Sequence, residues 1–291
     1  MALAIDIGGT KLEVGLVDRS GAVLRRSRAA TPAHEGADVM WAALVDLVAS
    51  VVGDGAERTR PLVCGVGTGG PMTRGGVTVS PLNIPAWRGF PLLDRLAELT
   101  GLATFVDNDA KALALGEGWV GAAAGCDDYV AMVVSTGVGG GIVLDGRLLD
   151  GAGGNAGHIG HVIVVPDGRP CACGASGCLE AEASGTAIAA ATGRPAAEAD
   201  AAVVARTGML VGRAVASVAN LLDLRLAVVA GSVALGFGEP FFRAAQAEID
   251  RSARLDFSAG MVIRPGLLGP DGPLVGAAAV GWRGLDPTGH P

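Results

Sequence analysis

Three cysteines fall within eight residues, Cys171, Cys173 and Cys178, and His161 precedes them. Three thiolates and one imidazole make a closed tetrahedral set, and soft sulfur donors select zinc over magnesium. A closed set is structural; the competing reading is three buried or merely reactive cysteines. Cys64 and Cys126 stand apart in apolar contexts and read as core or bystander residues. Two glycine-rich stretches suggest a second chemistry: Asp6-Ile7-Gly8-Gly9-Thr10-Lys11, and Ser135-Thr136-Gly137-Val138-Gly139-Gly140-Gly141. Without a Cβ, successive glycine N–H groups can aim at phosphate oxygens, and a threonine hydroxyl adds a donor. Flanking strands on both sides make the first stretch neither a Walker A loop nor a dinucleotide fingerprint. Alone, an Asp-x-Gly-Gly turn serves an ordinary hairpin as readily. Two such turns can hold one triphosphate.

These residues need a frame. Ala2–Ile5 and Leu12–Val17 read as a hairpin around the first turn, and Tyr129–Val134 and Ile142–Leu144 as a second hairpin around the other. Helical spacing predicts helices over Val39–Val52, with Asp38 as N-cap, and over Pro91–Leu99, Asp109–Val120, Gly208–Leu222, Pro240–Ile249 and Leu274–Trp282. Strands are expected at Leu62–Val66, Thr104–Val106 and Leu226–Ala230. Alternating helices and strands with repeated hairpins imply an α/β protein of two related halves. We place an N-terminal α/β domain at 1–120, which a C-terminal helix over 273–285 can rejoin. A C-terminal α/β domain follows at 121–272, with a metal loop at 158–180.

Bulk composition narrows the partners. The chain has 291 residues, half of them hydrophobic, and a net charge of −7, which excludes a disordered chain and gives no electrostatic footprint for nucleic acid. Charge-free stretches such as Tyr129–Leu144 are too short for a membrane span, and no basic n-region opens the chain. The expected location is cytoplasmic. Glycine occurs 47 times without a three-residue period, so a collagen-like helix is out; most of the excess reads as coding bias.

Asp6–Thr10, Val106-Asp107-Asn108-Asp109-Ala110, Ser135–Gly141 and the run Gly157–Glu180 together resemble the ROK family of sugar kinases and repressors. The resemblance implies the two-domain actin-like ATPase fold (hexokinase/ribonuclease H-like), with duplicated α/β halves and a cleft between them. It implies ATP and Mg²⁺ as well as structural Zn²⁺, and a homodimer. By the same resemblance Asp109 is the general base for a hexose hydroxyl, although Asn108 and Asp109 are also good helix caps. Gly70, Asn83, Asn108, Asp109, His158, His161 and Glu180 become the sugar contacts. Asp6, Gly8, Gly9, Thr10, Lys11, Thr136, Gly137 and Gly139 become the nucleotide contacts, with Gly231 and Ser232 near adenosine. The ligand set His161, Cys171, Cys173 and Cys178 coincides with that of the family.

Departures from the family pattern sharpen the expectation. Gly69 stands where Pro is usual, Ser232 where a second Gly is usual, and His158 where Glu is usual in the Gly-x-x-Gly-His run. Neutral imidazole offers one donor and one acceptor where a carboxylate accepts several protons, so His158 points to an N-acylated or C2-epimeric hexose. N-acetylmannosamine kinases of this family carry a similar Gly-His-Ile-Gly-His run. Trp87 reads as lid packing rather than a sugar platform. Lys111, where Asn is common, reads as solvated and without a role. The expected activity is an ATP-dependent hexose 6-phosphotransferase of glucokinase or N-acetylmannosamine kinase type. The alternatives are a sugar-responsive regulator, for which the first loop leaves no preceding DNA-binding segment, and a non-catalytic sugar-binding protein.

Overall fold

Two five-stranded sheets of identical topology organise the chain, whose computed structural model describes residues 1–53 and 60–286. In the first, β1 (Ala2–Ile7) pairs antiparallel with β2 (Lys11–Val17), and β2 with β3 (Val23–Ala30). On its other side β1 runs parallel to β4 (Val63–Thr68), and β4 parallel to β5 (Thr104–Asn108). Three helices belong with this sheet, α1 (Ala37–Val52), α2 (Leu92–Thr100) and α3 (Asp109–Val120).

The second sheet repeats the plan. Here β6 (Tyr129–Val134) pairs antiparallel with β7 (Val138–Leu144), and β7 with β8 (Arg147–Leu148). Parallel partners β9 (Leu226–Ala230) and β10 (Val262–Pro265) complete it. The helices are α4 (Leu179–Ala183), α5 (Gly185–Thr192), α6 (Ala201–Leu222), α7 (Ser232–Phe237) and α8 (Glu239–Ser252). The last helix, α9 (Gly272–Leu285), packs on β1, β4 and α3.

The chain divides into two compact units. One comprises Met1–Ala124, Asp150–Ala156 and the chain from Leu268; the other comprises Gly125–Leu149 and Gly157–Leu267. In the first, all six residues of β1 are buried because both sheet faces are covered. Leu3, Ile5 and Ile7 join Met40, Leu44 and Val48 of α1, whereas Ala2 and Ala4 lie with Leu274, Ala278 and Trp282 of α9. Two-residue alternation puts Asp6 on the alanine face. In the second unit, Val130, Met132 and Val229 pack with Leu210, Val211 and Ala214 of α6 and with Phe241 and Ala245 of α8. Among the described residues α6 alone is long and apolar enough to cross a membrane, and slightly over half of its apolar window is buried in this core.

Several expectations change. The edge strand β3 adds to the expected strands; arginines replace the apolar alternation in it, and Arg26 bonds Glu13 and Asp271. Asp38 lies in the first turn of α1, whose N-cap is Gly36. Helix α6 begins at Ala201, because Asp200 caps it by accepting the Val203 N–H at 2.9 Å. Strand β7 starts at Val138, so Gly139, Gly140 and Gly141 are paired with Val133, Met132 and Ala131 and do not form part of the turn. At Gly140 a Cβ would stand 2.9 Å from Ile159 and 3.2 Å from the Gly157 carbonyl, so that glycine serves packing.

Candidate active site

In the first unit the expected residues gather at the carboxyl ends of three neighbouring parallel strands, where α/β sheets commonly bind ligands. Pairing aligns Asp6 with Gly67 and Gly67 with Asp107. A Cβ on Gly67 would stand 3.6 Å from the Asp109 Cα and 3.8 Å from Asp6 Oδ1. Asn108 ends β5 and caps α3, its side-chain oxygen accepting the Ala110 N–H at 3.0 Å. Asp109 opens the helix, exposed, with Oδ1 2.8 Å from the same N–H. Capping therefore falls chiefly to Asn108, and the position at the positive helix end stabilises a carboxylate at Asp109. Burial, then the charge of Asp109, pushes the Asp6 carboxyl up to about 7, against the pull of Lys11.

The β1–β2 turn is closed by the Gly8 N–H donating to the Lys11 carbonyl and by the Thr31 hydroxyl donating to the Gly8 carbonyl at 2.6 Å. Gly9 lies against Asn83, whose side chain a Cβ there would meet at 2.6–2.8 Å; Asn83 Oδ1 would stand 3.5 Å from a Cβ on Gly69. The Asn83 loop is held by the Leu82 N–H donating to the Gly70 carbonyl, and a Cβ on Gly70 would stand 3.8 Å from Asn108 Nδ2. Thus Gly9, Gly69, Gly70, Asn83 and Asn108 adjoin one another. Thr10 is exposed, and Lys11 Nζ is paired with the buried Glu13 at 2.5 Å. Trp87 is fully buried and stacked on Phe90 at 4.2 Å, so it packs the loop from below.

Lys111 corrects the sequence reading. It is 2% exposed rather than solvated, and its ammonium meets Asp107 at 3.0 Å, Asp150 at 2.9 Å and the Gly154 carbonyl at 3.2 Å. Arg283 of α9 adds contacts to the same two carboxylates at 3.7 and 3.2 Å. Burial raises the Asp107 carboxyl against the pull of Lys111. At Asp150 burial is outweighed, and Lys111 and Arg283 hold the carboxyl below its usual range. The i,i+4 spacing of Asp107 and Lys111 across a strand–helix junction was the available signal.

In the second unit, the turn Ser135–Gly137 closes through the Ser135 N–H on the Gly137 carbonyl. Thr186 supports it, its hydroxyl donating to the Thr136 carbonyl at 2.9 Å. Gly231, at φ +99°, leaves β9 where a Cβ would meet the Val134 carbonyl at 2.4 Å, and Ser232 Oγ lies 2.9 Å from Ser135 Oγ. The residues assigned to nucleotide therefore share one end of this sheet, except Gly139, which lies within β7. Glu180 accepts the Val138 N–H at 2.9 Å, joining α4 to the glycine turn.

His161, Cys171, Cys173 and Cys178 present ligand atoms all within 4.8 Å of one another. His161 Nδ1 is 3.7 Å from Cys171 Sγ, and Cys173 Sγ is 3.6 Å from Cys178 Sγ. A zinc tetrahedron with bonds of about 2.3 Å to sulfur has S···S edges near about 3.8 Å, so the set fits zinc. Cys178 immediately precedes α4, which carries Glu180. His158 is exposed, its ring 6.0 Å from that of His161.

Residues 2–282 match the family model described as ROK family. Over 188 residues, 64% of this chain and 58% of the relative, the sequence is 43% identical to a glucokinase of Thermotoga maritima. Over 251 residues, 81% of this chain and 84% of the relative, it is 38% identical to an N-acetylmannosamine kinase of Escherichia fergusonii. A crystal structure of a ROK family glucokinase from Streptomyces griseus, in complex with glucose and AMPPNP, superposes with a TM-score of 0.82 at 30% identity, covering 97% of this chain and 99% of that one.

Proposed function

The chain belongs to the ROK family, and from that premise we propose that it is an ATP-dependent kinase for the 6-hydroxyl of a hexose or N-acylhexosamine, with Asp109 as general base. The observation that carries the reading is the placement of Asp109. It is an exposed carboxylate at the start of α3, beside buried Asp6 and next to Asn108, at the carboxyl ends of parallel strands. A sugar hydroxyl is too weak an acid to attack unassisted at neutral pH, so a carboxylate placed to take its proton lowers the barrier. As O6 bonds to the γ-phosphorus, the bond to the bridging oxygen breaks, ADP leaves and the proton passes to Asp109.

Sugar hydroxyls are assigned to Gly70, Asn83, Asn108, His158, His161 and Glu180, whose mixed donors and acceptors suit a polyol. The phosphates are assigned to the glycine turns, with Gly8, Gly9 and Thr10 from one and Thr136 and Gly137 from the other, and adenosine to Gly231 and Ser232. Mg²⁺, when bound, neutralises charge on the transferring phosphoryl group. The fit rests on the position of Asp6, whose buried carboxyl lies over Gly67 near Asp109 and can orient the hydration shell of a cation. His161, Cys171, Cys173 and Cys178 would hold zinc, which would fix the start of α4 and with it the bond that Glu180 accepts from the Val138 N–H. A panel of glucose, mannose, N-acetylglucosamine and N-acetylmannosamine with ATP, read by ADP release, tests the reading. Sugar-dependent turnover with at least one supports it, and none with any overturns it.

A further inference from the structure

Lysine occurs at only two positions, 11 and 111, among 22 strongly basic residues. Lys111 sits in the first turn of α3, where the helix dipole disfavours a cation, and it is buried, where desolvation disfavours one again. What offsets both is a complete shell. An ammonium has three N–H donors, and Asp107 Oδ1, Asp150 Oδ1 and the Gly154 carbonyl supply three acceptors at 2.9–3.2 Å.

These acceptors lie in two places. Asp107 is two residues before Asp109, so Lys111 ties the end of β5 to the first turn of the helix that carries the carboxylate. Asp150 and Gly154 belong to the short segment Asp150–Ala156, where the chain rejoins the first unit before running on into Gly157 and His158. This segment has little side chain of its own, with Gly151, Gly153 and Gly154 among its seven residues and φ of +74° and +84° at Gly151 and Gly154. Its internal bonds are the Ala156 N–H on the Asp150 carbonyl at 3.0 Å, the Gly154 N–H on the Gly151 carbonyl at 3.4 Å and the Asn155 amide on the Gly153 carbonyl at 3.0 Å. Lys111 grips it at two points.

We propose that Lys111 is a positioning residue for the sugar-phosphorylating site, one cation that fixes both the strand–helix junction bearing Asp109 and the glycine-rich segment leading to His158. This rests on the kinase reading above. Arg283 reinforces the arrangement from α9 through the same two carboxylates. The group acts through Asp109 and the segment and touches no reacting atom.

The test compares Lys111→Met and Asp150→Asn with the zinc-loaded parent, with Asp109→Asn in parallel. Asp150 is 44% exposed at its side chain, so Asp150→Asn keeps the fold even where burying Met at 111 does not. For Asp150→Asn the expected result is a sugar KM raised about fivefold or more, kcat lowered, and KM for ATP within about twofold of the parent. Lys111→Met, where folded by its melting curve, shows the larger effect in the same direction, with partial recovery in Lys111→Arg. A purely structural role would lower the melting temperature and leave these ratios unmoved. Parental sugar KM and kcat in Asp150→Asn overturn the proposal. Near-parental turnover in Asp109→Asn overturns the base assignment instead, so the two failures are distinguishable.

Discussion

Asp6 and Asp109 converge on Gly67. A Cβ on that glycine would stand within 4 Å of both, 3.8 Å from Asp6 Oδ1 and 3.6 Å from the Asp109 Cα. The relationship follows from strand order. With β4 between β1 and β5, a residue on the alanine face of β1 and the first residue after β5 meet over the middle strand. One carboxylate is buried and the other exposed, the environmental split that gives paired acids different roles.

Burial of Asp6, reinforced by the charge of Asp109, makes stability depend on pH through Asp6. Its folded value of about 7 lies above the ordinary 3.8, so between these values the folded protein keeps a proton that the unfolded chain has released. Stability falls as pH rises through this window and levels off above it, by roughly 4 kcal/mol in all. Asn at position 6 cannot ionise. Measured by urea unfolding without nucleotide or magnesium, Asp6→Asn should gain roughly 3 kcal/mol on the parent between about pH 4.5 and pH 8. A constant difference across that range would refute the buried-acid assignment.

Asp109→Asn keeps the size of the side chain and removes its ability to take a proton. We expect kcat to fall about 100-fold or more while sugar affinity, measured by titration calorimetry, changes little. An equal loss of binding and turnover would show that Asp109 orients sugar and does not serve as its base.

Much of this site was legible as sequence, and the exceptions have physical reasons. Hairpins around Gly8–Gly9 and Thr136–Gly137, the start of α3 at Asp109 and the Cys₃His set depend on short-range patterns, and the structure shows each. Strand β3 was missed because an edge strand can carry arginines where a central one carries valines. Lys111 reads as solvated from sequence because its partners Asp150 and Gly154 lie 39 and 43 positions away, and the one local cue, Asp107 four residues earlier, does not reveal a long-range ion cluster. Gly140 was given to phosphate because glycine for packing and glycine for a ligand look alike until register is known.

Zinc should hold activity through one short connection. Cys178 leads into α4, and Glu180 bonds the Val138 N–H at the glycine turn. Cys173 is exposed, so Cys173→Ser removes a ligand with little loss of packing. The expected outcome is zinc content well below one per chain, a raised sugar KM and faster hydrogen exchange at Val138. Full turnover of zinc-free protein would refute the connection.

His158 tests sugar choice. The side chain is exposed, its ring 6.0 Å from that of His161 in the Cys₃His cluster, and replacing it with Glu substitutes a multiple acceptor for an imidazole. His158→Glu should move the kcat/KM ranking toward glucose and away from N-acetylmannosamine by about tenfold, which is roughly 1.4 kcal/mol. An unchanged ranking among the four hexoses removes His158 from the specificity argument.

Gly9 and Asn83 offer the last test, because their contact links the β1–β2 turn to the sugar loop. A methyl at position 9 would meet Asn83 Cβ, Cγ and Nδ2 at 2.6–2.8 Å, closer than real Cβ contacts come. The amide must therefore leave its place, so Gly9→Ala should mimic Asn83→Ala in raising sugar KM. If both act by removing the same amide from the sugar, the double variant should be no worse on sugar KM than Asn83→Ala alone, and the coupling between the sites should match the effect of either. Additive effects would mean that the Gly9 turn acts on ATP independently of Asn83. Measuring KM for ATP in the same variants separates the cases, since an effect confined to the sugar leaves it unchanged.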